Sequence, residues 1–478
     1  MRYNTLEATL PQAQKCAAHG GKLFCCDLGN IAASGKALTA AQTLQKAFDL
    51  LEQRKEICDN GNIKFIEQAM PDEAYKINVS ETGVEIVSAS SRGFLYAANA
   101  FIQMLVCAMR EGGRKSYLDT GSVEDFPRFA WRGFMLDSAR HFQSPELIRE
   151  FLMLLAVFRI NVFHWHLTDN QSWRISVKAL DGIAGSGSLT DGSFSAEDIA
   201  GINDLAAKLC ITVIPEIDVP GHSERLLKKF PQYACDPTAE KNRELCLGNP
   251  EIRELLKNIF DDLLELFPDT PYIHIGGDEA ALEHWQKCPK CLQAMKEKNF
   301  RNMRELENDL MREVAAHIRQ RGRTPIIWSG GAASEQCYEP DVMVQAWLDI
   351  REPIKLSAAG NKVIYSVHNS LYFDYPANQH EPQENWMFEL SERGIYMTDP
   401  YMIWQEKVQD HLAGTEACLW TETVPQWRVM EKVLPRLPAY SEAAWSNVET
   451  RTFDDFLRRK NYLAAAGYFD VIKRLIAH

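Results

Sequence analysis

The chain has 478 residues, 46% of them hydrophobic and 24% charged, the balance of a globular protein with room for one large domain and a smaller one. Its 65 acidic residues outnumber the 52 basic ones, a net charge of -13, which argues against nucleic acid and anionic membrane surfaces as partners. No stretch reads as the roughly 20 apolar residues of a membrane span, and the opening MRYNTLEATLPQAQ carries no apolar leader, so a cytoplasmic location is expected.

Residues 1–125 predict a small mixed α/β module, an α+β domain without catalytic residues. Helical periodicity covers 40–54 and 91–108, and short strands read at 62–68, 75–79 and 83–88. From residue 126 the rhythm changes. Apolar runs at 133–137, 161–167, 211–217, 272–276, 325–328, 343–347, 362–366 and 417–420 alternate with amphipathic ones at 146–158, 196–210, 252–267 and 303–320. Eight strands with intervening helices predict an α/β fold, a (β/α)8 TIM barrel over 126–478. The last stretch, 454–477, reads as an amphipathic helix on its outside.

Chemistry concentrates at the C-terminal ends of these strands, where a barrel builds its site. Asp137, Arg140 and His141 follow the first strand, and His164, His166, Asp169 and Asn170 the second. Glu216, Asp218 and His222 follow the third, and Asp278 and Glu279 the fourth. Trp328 and Trp347 end the fifth and sixth, Tyr372 and Asp374 follow the seventh, and Trp420 and Glu422 the eighth. Carboxylates, one Arg and several aromatic rings suit a neutral, polyhydroxylated ligand. No phosphate-binding Gly loop of the Walker type occurs, and no cofactor is expected.

His164 and His166 share one strand face, and a metal held by them and Asp169 is the rival reading. It lacks a further ligand at a fixed spacing. Twelve cysteines are scattered, and without a leader they read as buried or free thiols. Cys288 and Cys291 form the one CxxC, with no second ligand pair legible nearby, so no metal site is expected there either.

The segment PYIHIGGDEA (271–280) is the densest signal. A strand breaks at Gly276-Gly277, two acids follow, and a helix is expected over 280–296. The plain alternative is a capped helix start. Glycoside hydrolysis ordinarily needs two carboxyl groups facing each other about 5 Å apart when configuration is retained. Neighbours in sequence diverge by about 100° on a helix and point to opposite sides on a strand, so Asp278 and Glu279 are a poor pair of that kind. One can be the acid; the other must do something else, such as hold the substrate.

HIGGDEA, together with WRGFMLDSARHF (131–142), NVFHWHLTDNQSWR (161–174), PEIDVPGH (215–222) and ACLWTE (417–422), resembles glycoside hydrolase family 20, the β-N-acetylhexosaminidases. Residues 83–105 resemble the end of the small domain that precedes the barrel in that family. The resemblance implies a retaining exo-enzyme that removes terminal β-linked GlcNAc or GalNAc from glycans or glycoconjugates. The sugar's own 2-acetamido oxygen would be the nucleophile. Glu279 would be the general acid and then the base, and Asp278 would orient the acetamido N–H. Tyr372 would donate to the acetamido oxygen, and Trp328, Trp347 and Trp420 would wall its methyl. Arg140, Asp374 and Glu422 would hold the far hydroxyls, with His166 counted among the substrate-binding residues. Asp169 and His222 would form a relay to Glu279. Three departures stand out. The second strand is followed by Asp169-Asn170 where the family often has two aspartates, the fifth strand runs IWSGG instead of GWDE, and WTE replaces WGE. Two other readings remain: a family member that releases a disaccharide, and a catalytically silent sugar-binding protein.

Overall fold

Two sheets organise the molecule, seen in a computed structural model that describes residues 3–110, 116–185, 191–330, 339–348, 351–381, 384–402 and 406–476. The first is a seven-stranded mixed sheet built from β1 (Lys15–Phe24), β2 (Ile31–Ala32), β3 (Ile57–Cys58), β4 (Ile63–Glu67), β5 (Tyr75–Val79), β6 (Val84–Ser88) and β7 (Tyr117–Asp125). Its order is β1-β7-β5-β6-β4-β2-β3. The strands expected at 62–68, 75–79 and 83–88 are β4, β5 and β6. Strand β1 carried no signal because it is an edge strand whose residues are mostly exposed, so nothing imposes a period-two apolar pattern.

Helices α1 (Leu38–Leu50) and α2 (Ser91–Met109) cover this sheet. Ser90 caps α2 by accepting from the Gly93 N–H at 3.0 Å. By length and composition α2 could cross a membrane, contrary to the reading of the sequence, but it is buried almost throughout as a core helix. It lies between the sheet and the barrel. Arg132 of the barrel reaches Glu73 at 2.9 and 3.0 Å, and Arg159 reaches Asp125 at 2.5 Å, so buried ion pairs tie the two parts together. The C-terminal stretch is two helices, Phe453–Ala465 and Tyr468–Ile476, broken where Gly467 takes a φ of 83°. They pack on α1, α2 and α3 (Pro145–Val157).

The second sheet is the expected closed barrel of eight parallel strands. They are β8 (Trp131–Asp137), β9 (Val162–His166), β10 (Thr212–Val219), β11 (Tyr272–Gly276), β12 (Thr324–Trp328), β13 (Met343–Ala346), β14 (Val363–Tyr365) and β15 (Leu412–Leu419). Period-two alternation sorts the inward residues into layers. At the N-terminal end Trp131, Val162, Ile214, Ile326, Met343 and Ile364 form an apolar plug. Two residues further along the strands stand His164, Glu216, Trp328, Gln345 and Ser366, all buried. The next step reaches the mouth.

The connections carry α4 (Ala196–Lys208), α5 (Glu224–Lys229), α6 (Glu251–Leu266), α7 (Glu283–Lys287), α8 (Pro289–Glu297) and α9 (Met303–Gln320). The continuous helix expected over 280–296 is instead the short pair α7 and α8, interrupted at Cys288-Pro289. Asp278 and Glu279 lie in an irregular stretch before α7, so they are not a helix cap.

Candidate active site

A cavity of ≈ 380 Å³ opens at the C-terminal mouth of the barrel. It is lined by Arg140, Asp169, His222, Asp278, Glu279, Trp328, Trp347, Tyr372, Asp374, Trp420 and Glu422, eleven of the twelve residues proposed from sequence. His166 is the exception. It is fully buried behind the wall, bonded to Glu216 through Nδ1 and to Asp169 through Nε2 at 3.1 Å, and set edge-on to Trp420. It supports lining residues and does not line the cavity itself.

The backbone explains how the two acids that follow β11 reach one cavity. Gly276 and Gly277 have φ of 69° and 100°, and a Cβ on Gly276 would lie 1.9 Å from Asp218 Oδ1. Only glycine permits this turn at such close approach. Glu279 follows at φ 46°, and its carboxylate and that of Asp278 both approach His222 Nε2, at 3.6 and 4.0 Å. Asp278 is nearly buried, and its Oδ1 has no hydrogen-bond partner among the described residues. The Glu279 side chain is 57% exposed at the rim.

A chain of charges runs to Glu279. Arg140 Nη2 sits 2.8 Å from Asp169 Oδ2, Asp169 Oδ1 is 3.2 Å from His222 Nδ1, and His222 Nε2 is 3.6 Å from Glu279 Oε2. Burial opposes ionisation of Asp169, but Arg140 and His222 hold its carboxyl well below the usual range. Burial likewise opposes the charged imidazole of His222, yet Asp169 and Asp218 keep its pKa well above the ordinary value. His222 is therefore an imidazolium facing Asp218, Asp278 and Glu279, at 3.9, 4.0 and 3.6 Å. Asp278 is pushed up to about 6 by burial and by Glu279, against the pull of His222.

Arg140 also touches Asp137 at 3.2 Å and Glu422 at 3.6 Å, and its guanidinium lies over the Trp420 ring at 5.0 Å. Asp374 beside them is pushed up to about 8 by burial and by Glu422, and its Oδ1 has no partner among the described residues. Trp328 and Trp420 stand with centroids 5.8 Å apart, and Tyr372 and Trp420 at 6.1 Å. Burial raises Tyr372 well above the usual phenol value, so its hydroxyl stays a proton donor. Ser329 occupies the place of the acid absent from IWSGG. Its Oγ accepts from the Trp347 N–H at 3.2 Å and its carbonyl from the Trp347 indole at 2.7 Å, which fixes that wall.

His164, His166 and Asp169 do not converge as one set of ligands among the described residues; His164 instead meets Glu216 and His274, and His166 meets Glu216 and Asp218. His164 approaches Glu416 at 2.7 Å and Glu216 at 3.1 Å, and both nitrogens of His166 meet carboxylates. Burial opposes the charge, but Glu216 and Glu416 bring His164 up to about 9. Glu216 also accepts from the Trp328 indole at 2.6 Å, so this layer is a buried salt-bridged support for the cavity floor. The sequence reading missed four lining residues as site members: Asp218, His368, Tyr375 and Trp386. Asp218 already stood at a strand end in PEIDVPGH; the other three lie in connections with no periodic signal.

Family models match nearly the whole chain. The glycosyl hydrolase family 20 catalytic domain matches residues 129–448, and the glycosyl hydrolase family 20 domain 2 matches residues 8–126. A β-hexosaminidase of Akkermansia muciniphila is 30% identical over 410 residues, covering 81% of this chain and 82% of that one. The human β-hexosaminidase subunit beta is 27% identical over 395 residues, covering 80% and 68%. Among solved structures, an exo-β-N-acetylglucosaminidase of Vibrio harveyi in complex with N-acetylglucosamine superposes with a TM-score of 0.88 at 25% identity, over 98% of this chain and 78% of that one. The Streptomyces plicatus N-acetyl-β-hexosaminidase gives 0.80 at 25% identity, over 97% and 96%. A cavity ringed by these acids and aromatic rings, on this barrel and behind this small domain, places the chain in glycosyl hydrolase family 20, the β-N-acetylhexosaminidases, and makes it a glycoside hydrolase.

Proposed function

We propose that the protein removes single β-linked N-acetylhexosamine residues, GlcNAc or GalNAc, from the non-reducing ends of glycans, with retention and with the substrate's acetamido group as nucleophile. The observation that carries this is the pair Asp278 and Glu279. One is buried, with an oxygen that has no hydrogen-bond partner among the described residues, and the other is at the rim beside His222. One acid set deep and its neighbour at the rim suit a division of labour in which the substrate supplies the nucleophile, the mechanism that membership of family 20 implies.

In this reading the acetamido N–H donates to the Asp278 carboxylate, and Tyr372 O–H donates to the acetamido oxygen. Both hold that oxygen under C1. The oxygen attacks C1, the C1–O bond to the leaving group breaks, and Glu279 gives its proton to the departing oxygen. Positive charge developing on the closed ring faces the Asp278 carboxylate. Water then loses a proton to Glu279 and attacks C1, which reopens the ring and restores the configuration. Trp328, Trp347 and Trp420 pack on the methyl and exclude water.

Arg140, Asp374 and Glu422 close the far end of the cavity, which favours release of one sugar over a disaccharide. The nearly complete acid set weighs against a silent binding protein. The test is release of p-nitrophenol from the β-GlcNAc and β-GalNAc glycosides, with product anomer followed by NMR. Release with the β-anomer formed first is expected. No release from either glycoside, or an α-product, would overturn the reading.

A further inference from the structure

Cys235, Cys246, Cys288 and Cys291 converge, with all four sulfurs within 4.8 Å of one another. Three separations are given by their contacts. Cys235 to Cys291, Cys246 to Cys288 and Cys246 to Cys291 are each 3.7 Å. A disulfide needs about 2.05 Å and joins sulfurs in twos. Here Cys246 and Cys291 each touch two other sulfurs, so the group shares one centre. Four thiolates bound tetrahedrally at about 2.3 Å from zinc stand about 3.8 Å apart, the spacing seen. From the sequence only Cys288 and Cys291 were legible as a pair; folding brings the second pair from the connection between β10 and α6.

We infer that these four cysteines bind a structural zinc ion. Cys288 occupies the N-cap of α8 and Cys291 its first turn, where the helix dipole favours thiolate. The Gly248 N–H donates to Cys291 Sγ at 3.3 Å, a hydrogen bond that orients a ligand sulfur. A Cβ on Gly248 would lie 2.2 Å from the Lys290 carbonyl carbon, so the two connections meet backbone to backbone and glycine is required there. Cys246, Cys288 and Cys291 are buried and Cys235 is partly covered. Four sulfur ligands leave no open position, which makes the site structural and not catalytic.

The site joins the connection after β10, which carries His222, to the connection after β11, which carries Glu279. The same two segments are linked by Trp285 Nε1 to the Leu245 carbonyl at 2.9 Å and by His284 to Glu244 at 2.8 Å. The zinc would thus clamp the two loops that bring His222 and Glu279 together.

The full chain, purified without chelator, should carry about one zinc per chain by plasma mass spectrometry. Growth in cobalt should give strong thiolate-to-cobalt absorption in the near ultraviolet with tetrahedral d–d bands. Cys246→Ser should lose most of the metal and lower the thermal midpoint. If that variant does not fold, the wild-type metal content and cobalt spectrum decide alone. Four freely titratable thiols without metal, an intact mass short by two hydrogens per bridge, or stoichiometric iron would each overturn the assignment. None of these readouts depends on glycosidase activity, so a failure of the proposed function would not touch them.

Discussion

His222 Nε2 stands 3.6 Å from Glu279 Oε2, and both residues hold left-handed backbone, at φ of 47° and 46°. Such conformations cost a non-glycine residue on the order of 1–3 kcal/mol and persist only where the surroundings over-determine them. Here the surroundings are Asp169, bonded to His222, and the Gly276-Gly277 turn that delivers Glu279. The strain sits where an imidazolium meets the carboxyl that, in the proposed mechanism, changes protonation state twice per turnover.

His222→Ala should therefore lower kcat by up to about 10²-fold through misplacement of Glu279, with KM little changed. Steady-state kinetics on the p-nitrophenyl glycoside measures it. A large rise in KM with kcat intact would show instead that His222 acts in binding.

Glu279→Gln should cost about 10²–10⁴-fold on natural glycosides, the range for loss of general acid catalysis. An activated aryl leaving group needs little protonation and should lose much less. Equal losses on both substrates would remove Glu279 from the acid role.

In the proposed mechanism Asp278 must be ionised to face the positive charge of the closed ring, and its pKa is pushed up to about 6 by burial and by Glu279. Below that pH it takes a proton and loses the charge that would face the ring. The profile of kcat/KM should fall on its acid side near pH 6, and Asp278→Asn should be both slow and flat in that region. An Asn variant that keeps the same acid limb would assign the limb to another group.

Asp374 makes a stability prediction of opposite character. Its folded pKa, raised to about 8, exceeds its ordinary value of 3.8, so the folded state binds the extra proton. Its contribution to stability is present below pH ~4 and is lost as pH rises toward 8. Asp374→Asn should match the wild type in thermal midpoint at low pH and exceed it by several degrees at pH 8, while binding sugar less well. Midpoints that stay parallel across this range would contradict the assignment.

Much of this was legible because it is periodic. Barrel strands are buried on a repeating pattern, so their apolar runs announce themselves, and their C-terminal ends could be searched for polar residues. Strand β1 lacks such a pattern because most of its residues are exposed. The break between α7 and α8 was hidden because 280–296 holds good helix formers, and the chain is diverted there by Cys288-Pro289 and the close contact at Gly248. His166 looked like a contact residue from its place at a strand end. Burial turned it toward Glu216 and Asp169.

By itself the sequence determined the barrel, the residues at its mouth and the adjacency of Asp278 and Glu279, since all three depend on local spacing. Only the tertiary structure decided which oxygen of Asp278 stays unpartnered, how Arg140, Asp169 and His222 line up behind Glu279, and that Cys235 and Cys246 meet Cys288 and Cys291. These are relations between segments far apart in the chain, and no local period encodes them. They are set by how close two backbones can pack, which at Gly276 and Gly248 is a matter of a missing Cβ.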